Sequence, residues 1–217
     1  MIGAVILDLD GTLVDSNQLH AEAFARALHE VGRDVPRATI HRQIGKGADQ
    51  FLPALVGGDA AAAQTVEGRA RQIYRQHLAA FVYPLPGAAA LLRSLRERGV
   101  QAWLGTSANP GEIAAPLASL GGEGLVTGIV SAGEVEASKP DPDIFGVALR
   151  RCGLRPDEVL VLGDTVWDVE AASRAGLRAA CVLTGGAFSR AELEETGAVA
   201  VFDDCAELLA SGFPDGF

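Results

Sequence analysis

Hydrophobic positions follow two rhythms along this chain. Ala4-Val5-Ile6-Leu7 is a continuous apolar run that ends in Asp8-Leu9-Asp10 and then Gly11-Thr12. That is the pattern of a strand buried on both faces, with acids emerging at its carboxyl end. From Ser16 to about Ala80 the spacing turns helical. Ala23, Phe24, Ala27, Leu28 and Val31 share one stripe, and Gly32 stops it. Phe51, Leu52 and Leu55 mark a second helical stretch behind the loop Ile44-Gly45-Lys46-Gly47, and Ala60 to Ala80 reads as a third, longer helix. No β-branched alternating run interrupts this block, so residues 16–82 are expected to form an all-helical insert.

After Tyr83-Pro84-Leu85-Pro86-Gly87 the rhythm changes. Helix 88–98, strand 100–104 and helix 110–120 come next, the last with Asn109 as its cap and Pro110 at its first position. Strand 126–130, helix 143–151, strand 159–162, helix 168–175, strand 179–183, helix 190–196, strand 198–202 and a closing helix complete the chain. Alternation at this spacing implies a parallel sheet covered on both faces. The expected fold is therefore α/β: a doubly wound, Rossmann-like parallel sheet core of residues 1–15 and 83–217, interrupted by the helical block of residues 16–82.

Composition narrows the partners. The 217 residues carry a formal charge of −10, the sequence pI is about 4.8 and no basic run occurs, which argues against nucleic acid as a partner. No apolar run reaches the roughly 18 residues of a membrane span, and the amino end lacks a secretory pattern, so no membrane partner is expected. Cys152, Cys181 and Cys205 stand far apart without a Cys-x-x-Cys pair. They read as reduced packing residues of a cytoplasmic protein. Of the 18 basic residues only two are lysines, Lys46 and Lys139. In an arginine-rich chain, a retained lysine points to a need for a compact ammonium.

In open α/β sheets ligands bind beyond the carboxyl ends of the strands. Asp8 and Asp10 lie beyond the first strand, Thr106 and Ser107 beyond the 100–104 strand, and Asp164 and Asp168 beyond the 159–162 strand. Lys139 sits in the turn-rich Ser138-Lys139-Pro140-Asp141-Pro142. Strand alternation would send Asp8 and Asp10 to one side, and four crowded carboxylates stay ionised only beside a cation. Oxygen donors without histidine or cysteine select Mg²⁺. With the Lys139 ammonium, the Thr106 hydroxyl and the Ser107 amide, the set has the parts that phosphoryl transfer requires. Taken singly, each has a structural reading: Asp164 as a strand end, Asp168 as a first-turn helix acid, Thr106 as a turn hydroxyl. Their joint occurrence at one rim favours chemistry.

Asp8-Leu9-Asp10-Gly11-Thr12-Leu13-Val14-Asp15-Ser16, Thr106, Ser138-Lys139-Pro140 and Gly163-Asp164-Thr165-Val166-Trp167-Asp168 resemble, in order, the four motifs of the haloacid dehalogenase superfamily. The resemblance covers nearly the whole chain, places the helical insert where that family carries a small cap domain, and is strongest to the phosphoglycolate phosphatase and β-phosphoglucomutase branch. It implies a Mg²⁺-dependent phosphatase of a small phosphorylated metabolite. Asp8 would be the nucleophile and Asp10 the general acid and base. Mg²⁺ would be held by the Asp8 carboxylate, the Asp10 backbone carbonyl and Asp164. Asp168 would orient a metal-bound water or Lys139, while Thr106 and Lys139 grip the phosphoryl oxygens. In the cap, Lys46 is the candidate substrate anchor and His20, near the hinge, a second specificity candidate. Trp167 is expected to pack, and Arg42 and Asp49 carry no assignment. A phosphosugar mutase and a non-catalytic regulator on the same fold stay open as alternatives, whereas Asp10 disfavours a haloalkanoic-acid dehalogenase. Monomer and homodimer fit the sequence equally.

Overall fold

Strand β1 (Ala4–Leu7) lies at the centre of a six-stranded sheet in the computed structural model of the chain, which describes residues 1–122 and 124–217. Its companions are β4 (Gln101–Gly105), β5 (Gly128–Val130), β6 (Val159–Gly163), β7 (Arg178–Val182) and β8 (Ala200–Phe202). The order is β5-β4-β1-β6-β7-β8 and every pair is parallel. The chain builds outward from β1 through β4 to β5, then returns to the other side of β1 and builds outward again from β6. The order therefore reverses between β1 and β6, the crevice where such sheets bind ligands.

The continuous apolar runs are explained by this topology. Val5, Leu7, Leu160 and Leu162 pack on one face against α5 (Ala88–Glu97) and α10 (Cys205–Ala210), in a cluster with Leu91, Leu92 and Leu208. Ala4, Ile6, Val159 and Val161 pack on the other face with Phe145 of α7 (Asp143–Cys152), Val169 of α8 (Val166–Arg174) and Leu193 of α9 (Arg190–Thr196). Residues of one strand thus serve two cores, and truncating any of these leucines to alanine is worth about 2–5 kcal/mol.

Between β1 and α5 the chain forms helices α1 (Asn17–Glu30), α2 (Arg37–His41), α3 (Ala48–Leu55) and α4 (Ala60–Ile73). These share an apolar cluster of their own, with Ala27, Leu28, Ile40, Phe51, Leu52 and Val66. The chain leaves and re-enters the core through a two-residue antiparallel ribbon, β2 (Val14–Asp15) against β3 (Tyr83–Pro84).

Several elements differ from expectation. The third helix is not continuous to Ala80: α4 ends at Ile73, and one π turn (Tyr74–Leu78) and one 3-10 turn (Ala79–Phe81) succeed it. The expected helix 110–120 is a 3-10 turn (Pro110–Glu112) and a short α6 (Ala114–Ser119), and the Asn109 side chain makes no cap bond. Its oxygen is taken by Arg71 Nη2 at 3.0 Å, which a helix cap would forgo. Val31 ends outside the stripe and is exposed, because α1 closes one residue earlier. The last helix before β7 begins at Val166 rather than Asp168, since Thr165 caps it. The five-residue α2 had no sequence signal. No helix of the described residues is long and apolar enough to cross a membrane, and all three cysteines are free and buried.

Candidate active site

The carboxyl end of β1 delivers Asp8, whose backbone nitrogen still bonds Leu162 O at 2.8 Å and whose side chain is buried. The strand stops there and the chain folds into a tight turn. Leu13 N and Val14 N both donate to Leu9 O, and Gly11, with φ of 78°, donates to Val14 O. A left-handed residue at that point is open to glycine at low cost. Strand alternation accordingly ends at Leu7, and Asp10 is swung toward α1, where Ser16 Oγ donates to it and His20 Nε2 lies 3.2 Å from Oδ1. The expected crowd of four acids is therefore three. Asp8, Asp164 and Asp168 each offer an oxygen within 4.8 Å of the others. The Asp10 carboxylate stands apart from that group.

Asp164, at the end of β6, is held from the first turn of the chain. Thr12 Oγ1 donates to its Oδ1 at 3.0 Å and Asn17 Nδ2 to its Oδ2 at 2.9 Å. A Cβ at Gly11 or at Gly185 would overlap Asp164 Oδ2, so the carboxylate is boxed between two glycines. Asn17 Oδ1 is buried with no hydrogen-bond partner. Lys139 is fully buried, its Nζ 2.7 Å from Asp8 Oδ1 and 2.7 Å from Asp168 Oδ1. The other oxygen of Asp168 accepts from Thr165 N at 3.1 Å and Thr165 Oγ1 at 2.6 Å. The first-turn helix acid and the partner of Lys139 are thus the same residue, fixed by its own helix start.

Three buried carboxylates share one ammonium. Burial pushes Asp8 up to about 7 despite Lys139, and the Asp168 charge adds to that rise. Burial and the charges of Asp168 and Asp8 raise Asp164 well above the carboxylate range. Burial alone would lower Lys139, but Asp168 and Asp8 hold its proton more tightly than usual. Both elevated acids belong to a site short of positive charge. At Asp10 burial is outweighed by the charge and hydrogen bonds of His20 and by Ser16, and its pKa is lowered. Burial likewise loses at His20, which Asp10 raises. His20 also stacks on Tyr74 at 4.0 Å and 14°, so the π turn at the end of α4 places an aromatic face behind the pair.

Thr106, at the end of β4, is buried, and its Oγ1 accepts from Ala108 N at 3.0 Å, which leaves its hydroxyl hydrogen free to donate. Ser107 Oγ donates to Gly45 O at 3.1 Å and so ties the core to the loop between α2 and α3. Lys46 of that loop lies on the Trp167 ring, 3.7 Å from its centroid, and donates to Gln43 Oε1 at 3.0 Å. Burial lowers its pKa, against the charge of Glu170. Trp167 packs as expected, and its ring face carries the lysine. The unassigned Arg42 and Asp49 are fastenings. Arg42 donates to Ala187 O and Glu192 Oε1, and Asp49 Oδ2 accepts Ser138 N at 3.1 Å.

The helical block and the sheet rim enclose a cavity of about 300 Å³, whose wall includes Asp8, Asp10, His20, Lys46, Thr106 and Ser107. That is the small end of ligand pockets, which span roughly 300–1,000 Å³. Of the site residues expected from sequence, Asp8, Asp10, His20, Lys46, Thr106 and Ser107 line the cavity, whereas Asp164, Lys139 and Asp168 do not line it and are grouped around Asp8. Thr12, Asn17 and Gly185 were not foreseen. Thr12 stands in the Asp-Gly-Thr run, which could have pointed to it, but nothing local marks Asn17 or Gly185.

A family model described as "Hydrolase: haloacid dehalogenase-like hydrolase" matches residues 2–176. The chain is 32% identical over 215 residues to the phosphoglycolate phosphatase of Rhodospirillum rubrum, covering 94% of this chain and 88% of that one. It is 28% identical over 201 residues to the phosphorylated carbohydrates phosphatase of Thermotoga maritima, covering 91% and 93%. Among solved structures, a hydrolase from Pseudomonas syringae superposes with a TM-score of 0.90 at 32% identity, over 96% of each chain. The motif order read from the sequence, the acids gathered at the sheet crevice and a family match across most of the length agree, and the chain belongs to the haloacid dehalogenase-like hydrolases.

Proposed function

We propose that this protein hydrolyses the phosphate monoester of a small phosphorylated metabolite, with Mg²⁺ as cofactor and Asp8 as nucleophile. The observation that carries this reading is the placement of Asp8: buried, at the end of the central strand, one oxygen on Lys139, beside Asp164 and open to the cavity. Relatives named as phosphatases over most of the chain support it. We read residues 1–15 and 83–217 as the catalytic core and 16–82 as the cap, a division supported by the separate apolar cluster and by the ribbon at the junction. Three buried free cysteines support a reducing, cytoplasmic setting.

The residues fit a hard cation. Asp168 already takes three donors, one from Lys139 and two from Thr165, whereas Asp164 takes one on each oxygen and Asp8 has Lys139 on one oxygen alone, so Asp8 and Asp164 would hold the ion, joined as the resemblance implies by the Asp10 carbonyl. When bound, Mg²⁺ supplies charge neutralisation to the acids and the phosphoryl oxygens. Asp8 attacks phosphorus: its oxygen–phosphorus bond forms, the bond to the leaving oxygen breaks, and that oxygen takes, through Asp10, the proton shared by the Asp10–His20 pair. The Asp10–His20 pair, with His20 Nε2 3.2 Å from Asp10, holds that proton between them. Water then attacks the phosphorus, the bond between phosphorus and the Asp8 oxygen breaks to return the Asp8 carboxylate, Asp10 accepts the water's proton, and phosphate leaves. Lys139 and Thr106 hold the phosphoryl oxygens, with the Ser107 amide as a third donor, while Asp168 and Thr165 fix Lys139.

Phosphate release from phosphoglycolate, sugar phosphates, nucleotides and an aryl phosphate, with and without Mg²⁺, tests the proposal. Release that depends on the metal is expected. Isomerisation of a phosphosugar faster than phosphate release would instead make the protein a mutase.

Two variants probe the surroundings. Gly185→Ala forces Asp164 out of place, and the Mg²⁺ concentration for half-maximal activity is expected to rise about 10- to 100-fold. An unchanged metal dependence would remove Asp164 as a ligand. Lys46→Ala is expected to raise KM for the best metabolite more than for an aryl phosphate. Equal effects would reduce Lys46 to a packing partner of Trp167.

A further inference from the structure

We infer that the Tyr74 hydroxyl donates a hydrogen bond to the leaving group and so favours phosphate esters that carry a further oxygen near the ester bond over plain alkyl phosphates. The inference rests on the phosphatase reading and deepens it by naming what the leaving group must offer.

Tyr74 opens the π turn Tyr74–Leu78 that succeeds α4. Single π turns are frequent at functional sites. Here the turn sets the tyrosine ring on the His20 imidazole, with 4.0 Å between centroids and 14° between planes, and His20 in turn meets Asp10. Stacking needs only a ring, which phenylalanine would supply. The hydroxyl is the part of Tyr74 that the stack leaves unexplained.

That hydroxyl is unpartnered without being closed off. Tyr74 is 4% exposed and lines the cavity. Among the described residues no group hydrogen-bonds its Oη, and the partnerless side-chain atoms sealed inside the protein are Asn17 Oδ1 and Arg71 Nε alone. The Oη therefore keeps open surface, and the cavity is the space its residue borders. Asp10 and Glu112 act on it through their charge and not through a hydrogen bond. Burial and those two charges hold the phenol proton more tightly than usual, so the group is a donor throughout the neutral range. A nearly buried donor with no partner is costly unless a ligand satisfies it.

The stack also fixes which part of a substrate the hydroxyl meets. Asp10 serves the bridging oxygen, His20 touches Asp10, and Tyr74 comes next along the wall. The hydroxyl thus belongs to the leaving-group side, whereas Lys139 and Thr106 hold the phosphoryl oxygens. The cap adds Ala23, Phe24, Phe51 and Ala70 to the lining. A few polar groups set in apolar lining are what orients a small ligand.

Glycerol 3-phosphate, 2-phosphoglycolate and n-propyl phosphate all carry the phosphate on a terminal CH₂. The first two have oxygen acceptors beyond the bridging oxygen and the third has none. Their binding to the Asp8→Asn variant with Mg²⁺, measured by calorimetry, needs no turnover. The tighter of the two oxygen-bearing esters is expected to bind at least about fivefold more tightly than propyl phosphate. Adding Tyr74→Phe should weaken that ester about fivefold and change propyl phosphate by less than about twofold. Because the lost oxygen pairs with nothing in the protein, Tyr74→Phe is expected to melt within about 2 °C of its parent. Equal weakening of all three esters, no weakening, binding of none, or a Tm lower by many degrees, which would reveal a partner inside the protein, overturns the assignment. If the selective loss appears but the unmodified protein releases no phosphate from any ester, the donor stands and the phosphatase reading fails.

Discussion

Asp8→Asn is expected to lower turnover by roughly four orders of magnitude or more while the protein stays folded. The amide keeps the size of the side chain and removes the nucleophilic oxygen pair. The fold tolerates the change because Asp8 is a destabilised acid: burial raises its pKa to about 7, and it stands among Asp164, Asp168 and the charge of Asp10. Removing one carboxylate relieves that repulsion, although Lys139 loses one of its two partners. Steady-state phosphate release and a thermal melt on the same preparation check both halves. Substantial residual activity in a sample free of unmodified protein would remove Asp8 from the nucleophile role. A collapse of the melt would mean that the lost activity says nothing about chemistry.

Lys139→Met has the opposite profile and is expected to be the most destabilising change at the site. Methionine is close in volume, so packing is kept and the charge is lost. Asp8 and Asp168 then have no buried cation, and breaking a buried pair from one side costs about 3–5 kcal/mol. For a chain of this size that corresponds to a fall in Tm of roughly 6–20 °C. Mg²⁺ should raise the Tm of the variant more than that of the unmodified protein, because it binds the folded acids and replaces part of the missing charge. The other lysine gives the contrast. Lys46 is partly exposed and rests on Trp167, and Lys46→Met is expected to cost no more than about 1 kcal/mol. A Lys139 variant that melts within a few degrees of the unmodified protein would contradict a stabilising role for the buried ammonium.

That contrast also marks what was legible in the sequence. Scarcity singled out both lysines equally and the Ser138-Lys139-Pro140 motif set Lys139 apart, but only the structure shows the size of the difference: Lys139 is fully buried between two acids, and Lys46 rests on Trp167 at the cavity wall. The strands were legible because β1 and β6 are covered on both faces, so no polar residue interrupts Val5 to Leu7 or Val159 to Leu162. Asp8 and Asp164 could be placed from their positions at strand ends. Asp10 could not, because alternation holds only while the strand lasts, and the turn at Gly11 redirects the chain. The cradle of Asp164 was hidden for another reason. Asn17 is 147 residues from it in sequence, and Gly185 enters from the loop after β7, so the contact exists only once the sheet has brought both together. The Asn109 cap failed for a similar cause, since a distant Arg71 competes for the oxygen that local rules reserve for the helix.

The proposed reaction is covalent: phosphorus passes through Asp8. Mixing the protein with a substrate carrying radioactive phosphorus, quenching in acid within a single turnover and mapping the labelled peptide tests this without intermediaries. Protein-bound label is expected on the peptide containing Asp8, released by hydroxylamine as an acyl phosphate should be, and absent from Asp8→Asn. Phosphate release without labelled protein at any quench time, or label on another residue, would contradict it.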